Sequence, residues 1–112
     1  MAEITIRPAQ GTWVIRAGGA VLGETTRALE LTEGNLDPVI YFPRDDIAMA
    51  FFDPSDTRTT CPHKGEASYF TLHTKSAEIR DAAWSYEEPL AAVADIAGHM
   101  AFYPDKVTVE RV

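Results

Sequence analysis

Apolar and polar residues alternate along most of this chain, which is the pattern of strands buried on one face. In the first third the alternating runs are residues 4–7, 12–17, 20–24 and 28–32. Gly18 and Gly19 separate the second run from the third. Two glycines between strand-like runs predict a tight hairpin, because the favoured two-residue turns need positive φ.

The rest of the chain continues this pattern with short runs separated by turn residues. We expect strands at 39–42, 47–52, 57–60, 67–73, 77–86, 99–103 and 107–110. Turns are predicted at 43–46, 53–56 and 74–76, with an irregular bend at 61–65. Residues 90–97 are Ala-rich and lie between Pro89 and Gly98, which predicts one short helix. The sequence therefore predicts a mainly β, single-domain chain over residues 1–112, with antiparallel sheets packed face to face.

Strand periodicity also assigns side chains to faces. In residues 67–73, Phe70 and Leu72 share a face and are predicted to lie in a core. The opposite face is predicted to form a semi-polar wall; its residues are Ala67, Tyr69, Thr71 and His73. In the next run Trp84 and Tyr86 fall on one face.

The charge of the chain argues against a nucleic-acid partner. The formal net charge is −7, and the ten lysines and arginines are scattered rather than clustered. Binding to phosphate backbones or anionic membranes needs concentrated positive charge. A small anionic ligand is compatible with this composition if one arginine and one lysine converge in a pocket.

The cysteine content and the length of the apolar runs predict the cellular compartment of the protein. Cys61 is the single cysteine, so no internal disulfide can form, as expected in a reducing cytoplasm. Residues 1–7 contain an early acid and no long apolar stretch, unlike a secretory signal. The longest apolar runs, such as 47–52, are far shorter than the roughly 20 residues that span a bilayer. We therefore expect a cytoplasmic protein.

Four stretches resemble one family over residues 12–110. They are Tyr-Phe-Pro-Arg-Asp-Asp at 41–46, Thr-Thr-Cys-Pro-His-Lys-Gly-Glu-Ala-Ser-Tyr-Phe at 59–70, Asp-Ala-Ala-Trp-Ser-Tyr at 81–86 and Ile-Ala-Gly-His-Met-Ala-Phe-Tyr at 96–103. Together they resemble the mainly bacterial domain of unknown function 427 family, for which a nucleotidyltransferase activity has been suggested. This sequence contains neither a Gly-rich phosphate loop nor a close pair of carboxylates spaced for magnesium on one strand. It therefore gives no support for that activity.

The resemblance implies a β-tent fold, in which two antiparallel sheets lean together as in methionine-R-sulfoxide reductases and related zinc-bearing domains. Those relatives commonly bind zinc through two Cys-x-x-Cys pairs, and this sequence has neither. We therefore expect no metal and no cofactor. His63 stands where the family usually carries tryptophan, so the resemblance assigns no role to this position.

Cys61 and His99 are the candidate catalytic residues. Cys61 lies beside His63 and Lys64, and nearby positive charge favours the nucleophilic thiolate. His99 is the candidate base, because it lies in the last of the four family-like stretches. The alternatives are a buried, inert thiol, or a zinc site of non-standard spacing built from Cys61, His63, His73 and His99.

Polar-tipped aromatic residues are concentrated in the same stretches, which favours a small-ligand pocket. The predicted ligand-binding residues are Arg44, Lys64, Ser68, Tyr69, Trp84 and Tyr86. Tyr41 and Tyr103 belong to the same aromatic set, and ordinary packing of tyrosine and tryptophan is the alternative explanation. Three functions follow: a small-ligand-binding domain, an enzyme that uses Cys61, and an interaction module that forms a homodimer through exposed sheet edges.

Overall fold

The computed structural model describes residues 3–112, which form ten strands and three short 3₁₀ segments. The strands β1 to β10 are, in order, Ile4–Pro8, Trp13–Ala17, Ala20–Thr25, Leu29–Glu33, Val39–Tyr41, Phe52–Cys61, Gly65–His73, Glu78–Ser85, Met100–Phe102 and Thr108–Arg111. The 3₁₀ segments are Arg44–Asp46, Met49–Phe51 and Ala91–Ile96. The mainly β architecture predicted from the alternating pattern is confirmed.

The strands pair antiparallel in three sheets, where the family resemblance implied two. The sheets have the strand orders β1-β4-β5, β10-β2-β3 and β6-β7-β8-β9. Phe42 and Met100 join the first sheet to the four-stranded sheet, each N–H donating to the other's carbonyl oxygen at 2.8 and 2.9 Å. Arg44, which would form the next hydrogen-bonded pair of this ladder, instead begins a 3₁₀ segment, so the two sheets share only this bridge among residues 3–112.

Both predicted hairpins are present. β2 pairs with β3 across Gly18 and Gly19, whose φ angles are 57° and 76°. β7 pairs with β8, and the Thr74 N–H donates to the Ala77 carbonyl at 2.8 Å to close that turn. The local sequence determines the β2–β3 turn because left-handed backbone strongly favours glycine.

The predictions for residues 47–56 were wrong. Ile47 makes only an isolated bridge with Gly23, Met49–Phe51 forms a 3₁₀ turn, and the strand begins at Phe52. Residues 53–56, predicted as a turn, lie within β6. The pairing of β6 with β7 shifts between Pro54 and Arg58, so a bulge absorbs the turn-forming residues inside the strand.

The helical segment lies where the sequence placed it, but it is 3₁₀ rather than α. It spans Ala91–Ile96 and is kinked at Val93, with φ −124° and ψ 28°. Val93 and Ile96 are its buried residues, and their three-residue spacing matches one face of a 3₁₀ turn. No helix within residues 3–112 is long and apolar enough to cross a membrane.

The four-stranded sheet is covered on both faces by two apolar clusters. Phe70 and Leu72 pack on one face, as predicted. Ala67 and Tyr69 do not form a semi-polar wall; they are only 1% and 8% exposed and belong to the second cluster. The β1–β4–β5 sheet contributes Leu31 to this second cluster, which lies next to the open cleft described below.

Candidate functional site

An open cleft of about 270 Å³ lies between the β1–β4–β5 sheet and the four-stranded sheet. Its walls come from β4, β5, β7 and β8 and from the segments that follow β4, β6, β8 and β9. The lining residues are Leu31, Glu33, Leu36, Asp37, Val39, Tyr41, Lys64, Tyr69, Trp84, Tyr86 and Tyr103. We call this cavity the aromatic cleft, because five of these residues are tyrosine or tryptophan.

Trp84 lies at the centre of the aromatic wall. Its ring centroid is 4.6 Å from that of Tyr103 and 6.5 Å from that of Tyr41, with interplanar angles of 47° and 87°. Trp84 Nε1 donates a hydrogen bond of 3.4 Å to the Tyr41 hydroxyl. Tyr69, opposite Trp84 in the β7–β8 register, has its hydroxyl 2.8 Å from Thr59 Oγ1. The rings therefore surround the cleft at different angles.

Three of these tyrosines stay protonated well above neutral pH. Burial is the main cause that raises the pKa of Tyr41, Tyr86 and Tyr103. The neighbouring Tyr69 hydroxyl raises the pKa of Tyr103 further, and the negative charge of Glu33 raises the pKa of Tyr41 and Tyr86. At neutral pH the aromatic wall therefore carries uncharged hydroxyl groups.

An ion pair links the two sides of the cleft. Lys64 Nζ lies 2.7 Å from Glu33 Oε1, and their side chains are only 12% and 16% exposed. Burial by itself lowers the pKa of Lys64, but the hydrogen bond to Glu33 and the nearby negative charges outweigh this effect and raise it. Lys64 is positioned by the β6–β7 turn, which ends at Gly65 with φ +112°, where a side chain would be strained.

Four of the six predicted ligand-binding residues line the cleft: Lys64, Tyr69, Trp84 and Tyr86. The other two lie outside its lining. Arg44 pairs with Glu87, hydrogen-bonds Ser85 Oγ at 3.2 Å and places its guanidinium 5.3 Å from the Phe70 ring centroid. Ser68 lines a separate, strongly acidic depression that also includes Arg58, Glu66, Glu87 and Glu88.

Cys61 and His99 have separate hydrogen-bond partners. Cys61 is half-buried, and its Sγ lies 3.7 Å from Lys64 Nζ. His99 Nδ1 lies 3.2 Å from the Ala97 carbonyl oxygen, and no hydrogen bond joins it to Cys61 within residues 3–112. The geometry therefore places a lysine rather than a histidine beside the thiol.

The histidines are dispersed. His63 is exposed. Gly65, the partner of Cys61 in the β6–β7 pairing, lies at one end of β7, and His73 lies at the other, roughly 25 Å away at the usual rise per strand residue. His73 contacts Asp53 and Glu78 at 3.1 and 3.4 Å. In the part of the chain that the structure describes, no three His, Cys, Asp or Glu side chains converge to hold a metal ion.

Sequence reasoning missed the side of the cleft that comes from the first sheet. Residues 33–38 lie outside every strand and turn predicted above, yet Glu33 pairs with Lys64, and Leu36 and Asp37 form part of the lining. Val39 also contacts the cleft from β5. These residues are 25 or more positions away from Lys64 in sequence, and no local pattern signals such a pairing.

A second, more apolar cavity of about 410 Å³ adjoins the first. The two cavities share Asp37, Val39 and Trp84 in their linings. The residues particular to the second cavity are Trp13, Glu30, Pro38, Ile40, Phe102, Pro104 and Val109. Trp84 therefore separates an apolar cavity from one that contains an ion pair.

The comparison with known proteins identifies the family but gives no activity. No curated protein matches the chain at a significant level. A family model described as a domain of unknown function matches residues 5–112, which include all four of the stretches quoted above. The chain therefore belongs to the DUF427 family of domains of unknown function.

Proposed function

We propose that this protein is a small-molecule-binding domain and that the aromatic cleft is its binding site. The observation that carries the proposal is the convergence of four tyrosines and one tryptophan around an open space with an ion pair in its wall. Ligand sites are typically apolar cavities with a few convergent polar groups. A volume of about 270 Å³ suits a ligand of metabolite size.

The chemistry of the lining supports binding over simple packing. Tyrosine hydroxyls in a closed core usually find partners and leave no open space between the rings. Here the rings border solvent-accessible space, and the hydroxyls of Tyr41, Tyr69 and Tyr103 offer hydrogen-bonding groups. Tyr41 and Tyr69 lie on strands and Tyr103 directly follows one, so the site needs little rearrangement when a ligand binds.

A small-molecule screen with a matched pair of variants tests this proposal. Thermal-shift hits are first verified by isothermal titration calorimetry. Val39→Phe then places a larger side chain at the wall that the cleft shares with the second cavity, whereas Val109→Phe makes the same change in the second cavity alone, as its control. We expect Val39→Phe to abolish binding and Val109→Phe to retain it. Unchanged binding in Val39→Phe, or no direct binding of any screened compound, would overturn the proposal.

A second candidate function is nucleophilic or redox chemistry at Cys61, favoured by the Lys64 ammonium group 3.7 Å from Sγ. A neighbouring cation stabilises the thiolate, which is the reactive form. The rate of alkylation by iodoacetamide at neutral pH tests this candidate. We expect Lys64→Gln to slow alkylation several-fold and Lys64→Arg, which keeps the charge, to slow it less. Equal rates in the two variants and the parent protein would remove the candidate.

A further inference from the structure

The charges that line the aromatic cleft are unequal. Glu33 and Asp37 contribute two carboxylates, and Lys64 contributes the single cationic side chain of the lining. The Lys64 ammonium group already donates to Glu33 at 2.7 Å. Asp37 is exposed and forms no ion pair within residues 3–112. The lining therefore has a formal charge of −1, and its free charge is a carboxylate.

An anionic ligand would find no free cation in the cleft. The sequence allowed for an anion held jointly by one arginine and one lysine, but Arg44 is engaged with Glu87 and lies outside the lining. A bound anion would either share Lys64 with Glu33, whose carboxylate would repel it, or displace Glu33 and leave that half-buried carboxylate without its partner. Losing the partner of a buried charge is strongly unfavourable.

The aromatic wall favours a positively charged ligand. The faces of tryptophan and tyrosine rings carry negative electrostatic potential, and they attract cations that lie within about 6 Å of the ring centroid. Trp84 is flanked by Tyr103 and Tyr41 at interplanar angles of 47° and 87°. Rings at such different angles can contact one rounded ligand group from several sides, as in sites that bind quaternary ammonium groups.

From the excess carboxylate and the aromatic lining together, we infer that the ligand of the cleft is a small organic ammonium cation. This inference rests on the proposed function and names its ligand class. The ammonium group lies against the partly exposed rings of Trp84 and Tyr103, and Asp37 supplies the compensating negative charge at the rim. The remainder of the ligand contacts the apolar side chains Leu31 and Val39.

Three probes of similar size and different charge test the inference by isothermal titration calorimetry at low ionic strength. They are choline, the neutral alcohol in which a tert-butyl group replaces the trimethylammonium group, and a carboxylate with the same tert-butyl group. Removing the positive charge leaves the size and apolar surface nearly unchanged, so differences in affinity report the charge preference. We expect choline to bind about tenfold more tightly than the neutral alcohol, in the range of a desolvated cation–aromatic contact.

A matched pair of acid-to-amide variants locates the effect. Asp37→Asn removes the free carboxylate of the cleft, and Glu66→Gln removes an exposed carboxylate in the separate acidic depression. We expect Asp37→Asn to weaken choline binding several-fold without changing the affinity for the neutral alcohol. Glu66→Gln should change neither affinity.

Each other outcome overturns the inference in a recognisable way. Equal affinity for choline and the neutral alcohol rejects the charge preference but leaves the cleft as a binding site. If the carboxylate binds more tightly than choline, the cleft prefers an anionic ligand and the inferred preference for a cation is rejected. Loss of choline binding in Glu66→Gln rather than Asp37→Asn moves the cation to the acidic depression. Failure of all three probes rejects the ammonium class, while other hits in the broader screen would still uphold the proposed function.

Discussion

Asp81 has a left-handed backbone conformation, with φ +49°, which is uncommon for any residue except glycine. Its carboxylate accepts hydrogen bonds from Ser55 Oγ and Thr57 Oγ1, both at 2.6 Å. Its N–H donates to Thr71 Oγ1 at 3.3 Å, where the β7–β8 register shifts. Through its side chain and its backbone N–H, this one residue therefore links the irregular parts of β6, β7 and β8.

Substitutions at Asp81 separate the hydrogen bonds from the backbone strain. Asp81→Gly loses both side-chain bonds but adopts positive φ freely, so we expect a loss of roughly 2 kcal/mol in the free energy of unfolding. Asp81→Ala loses the same bonds and adds a left-handed backbone penalty of about 1 kcal/mol. Urea unfolding measures both. Equal stability of the two variants would show that the backbone conformation relaxes at little cost.

Asp81 also makes stability depend on acid pH. Hydrogen bonds from Ser55 and Thr57 lower its pKa below the ordinary value of 3.8. The unfolded state therefore takes up the proton first, so this contribution is present above that ordinary value and is lost as pH falls through the folded pKa. We expect the parent protein to lose more unfolding free energy than Asp81→Asn between about pH 5 and about pH 2. Parallel pH profiles in urea would contradict this expectation.

Among the secondary-structure elements, the β2–β3 hairpin turns through two consecutive glycines. Gly18 and Gly19 both have positive φ, but their surroundings differ. A Cβ at Gly18 would lie 2.9 Å from Thr74 Oγ1, whereas a Cβ at Gly19 would meet nothing within 4 Å. Thr74 is tied to its own turn through the Ala77 carbonyl and the Ser76 N–H, so it cannot move freely.

Alanine substitutions in this turn should therefore have unequal effects. We expect Gly19→Ala to cost about 1 kcal/mol from backbone strain alone, and Gly18→Ala to cost more because of the contact with Thr74. Thr74→Ala, introduced as a control, should bring the cost of Gly18→Ala close to that of Gly19→Ala. Urea unfolding of the single and double variants measures these differences. A larger effect at Gly19 would be inconsistent with this turn geometry.

On the scale of the whole molecule, the aromatic cleft makes the packing of the sheets sensitive to alkaline pH. Burial raises the pKa of Tyr41, Tyr86 and Tyr103 above 10.0, and the net effect of its surroundings raises that of Lys64 above 10.5. The unfolded chain loses these protons first. Their contribution to stability is therefore complete below about pH 10 and is lost as pH rises through the folded values.

We expect the free energy of unfolding to fall steeply as the pH rises above about 10. Tyr86→Phe should reduce this fall, because it removes one of the shifted hydroxyl groups from the cleft. Urea unfolding at each pH, with phenolate absorbance followed in the same samples, tests the expectation. A flat stability profile, or phenolate formation before unfolding, would contradict it.

The sequence by itself determined the features that depend on neighbouring residues. The alternating pattern predicted the mainly β architecture, and Gly18–Gly19 and residues 74–76 predicted the two hairpins. Phe70 and Leu72 were assigned to a core by period-two spacing alone. In each case the deciding interaction lies within one strand or one turn, so the local pattern carries the information.

Only the tertiary structure decided how the sheets meet and which residues border the cleft. Residues 53–56 depart from their local pattern because strand pairing converts a turn-like sequence into a bulge. Glu33 becomes the partner of Lys64, and Arg44 is directed to Glu87 instead, through contacts between residues 31 and 43 positions apart. Hydrophobic period reports which face of a strand is buried but not which distant strand covers it, so these pairings were set by the folded chain.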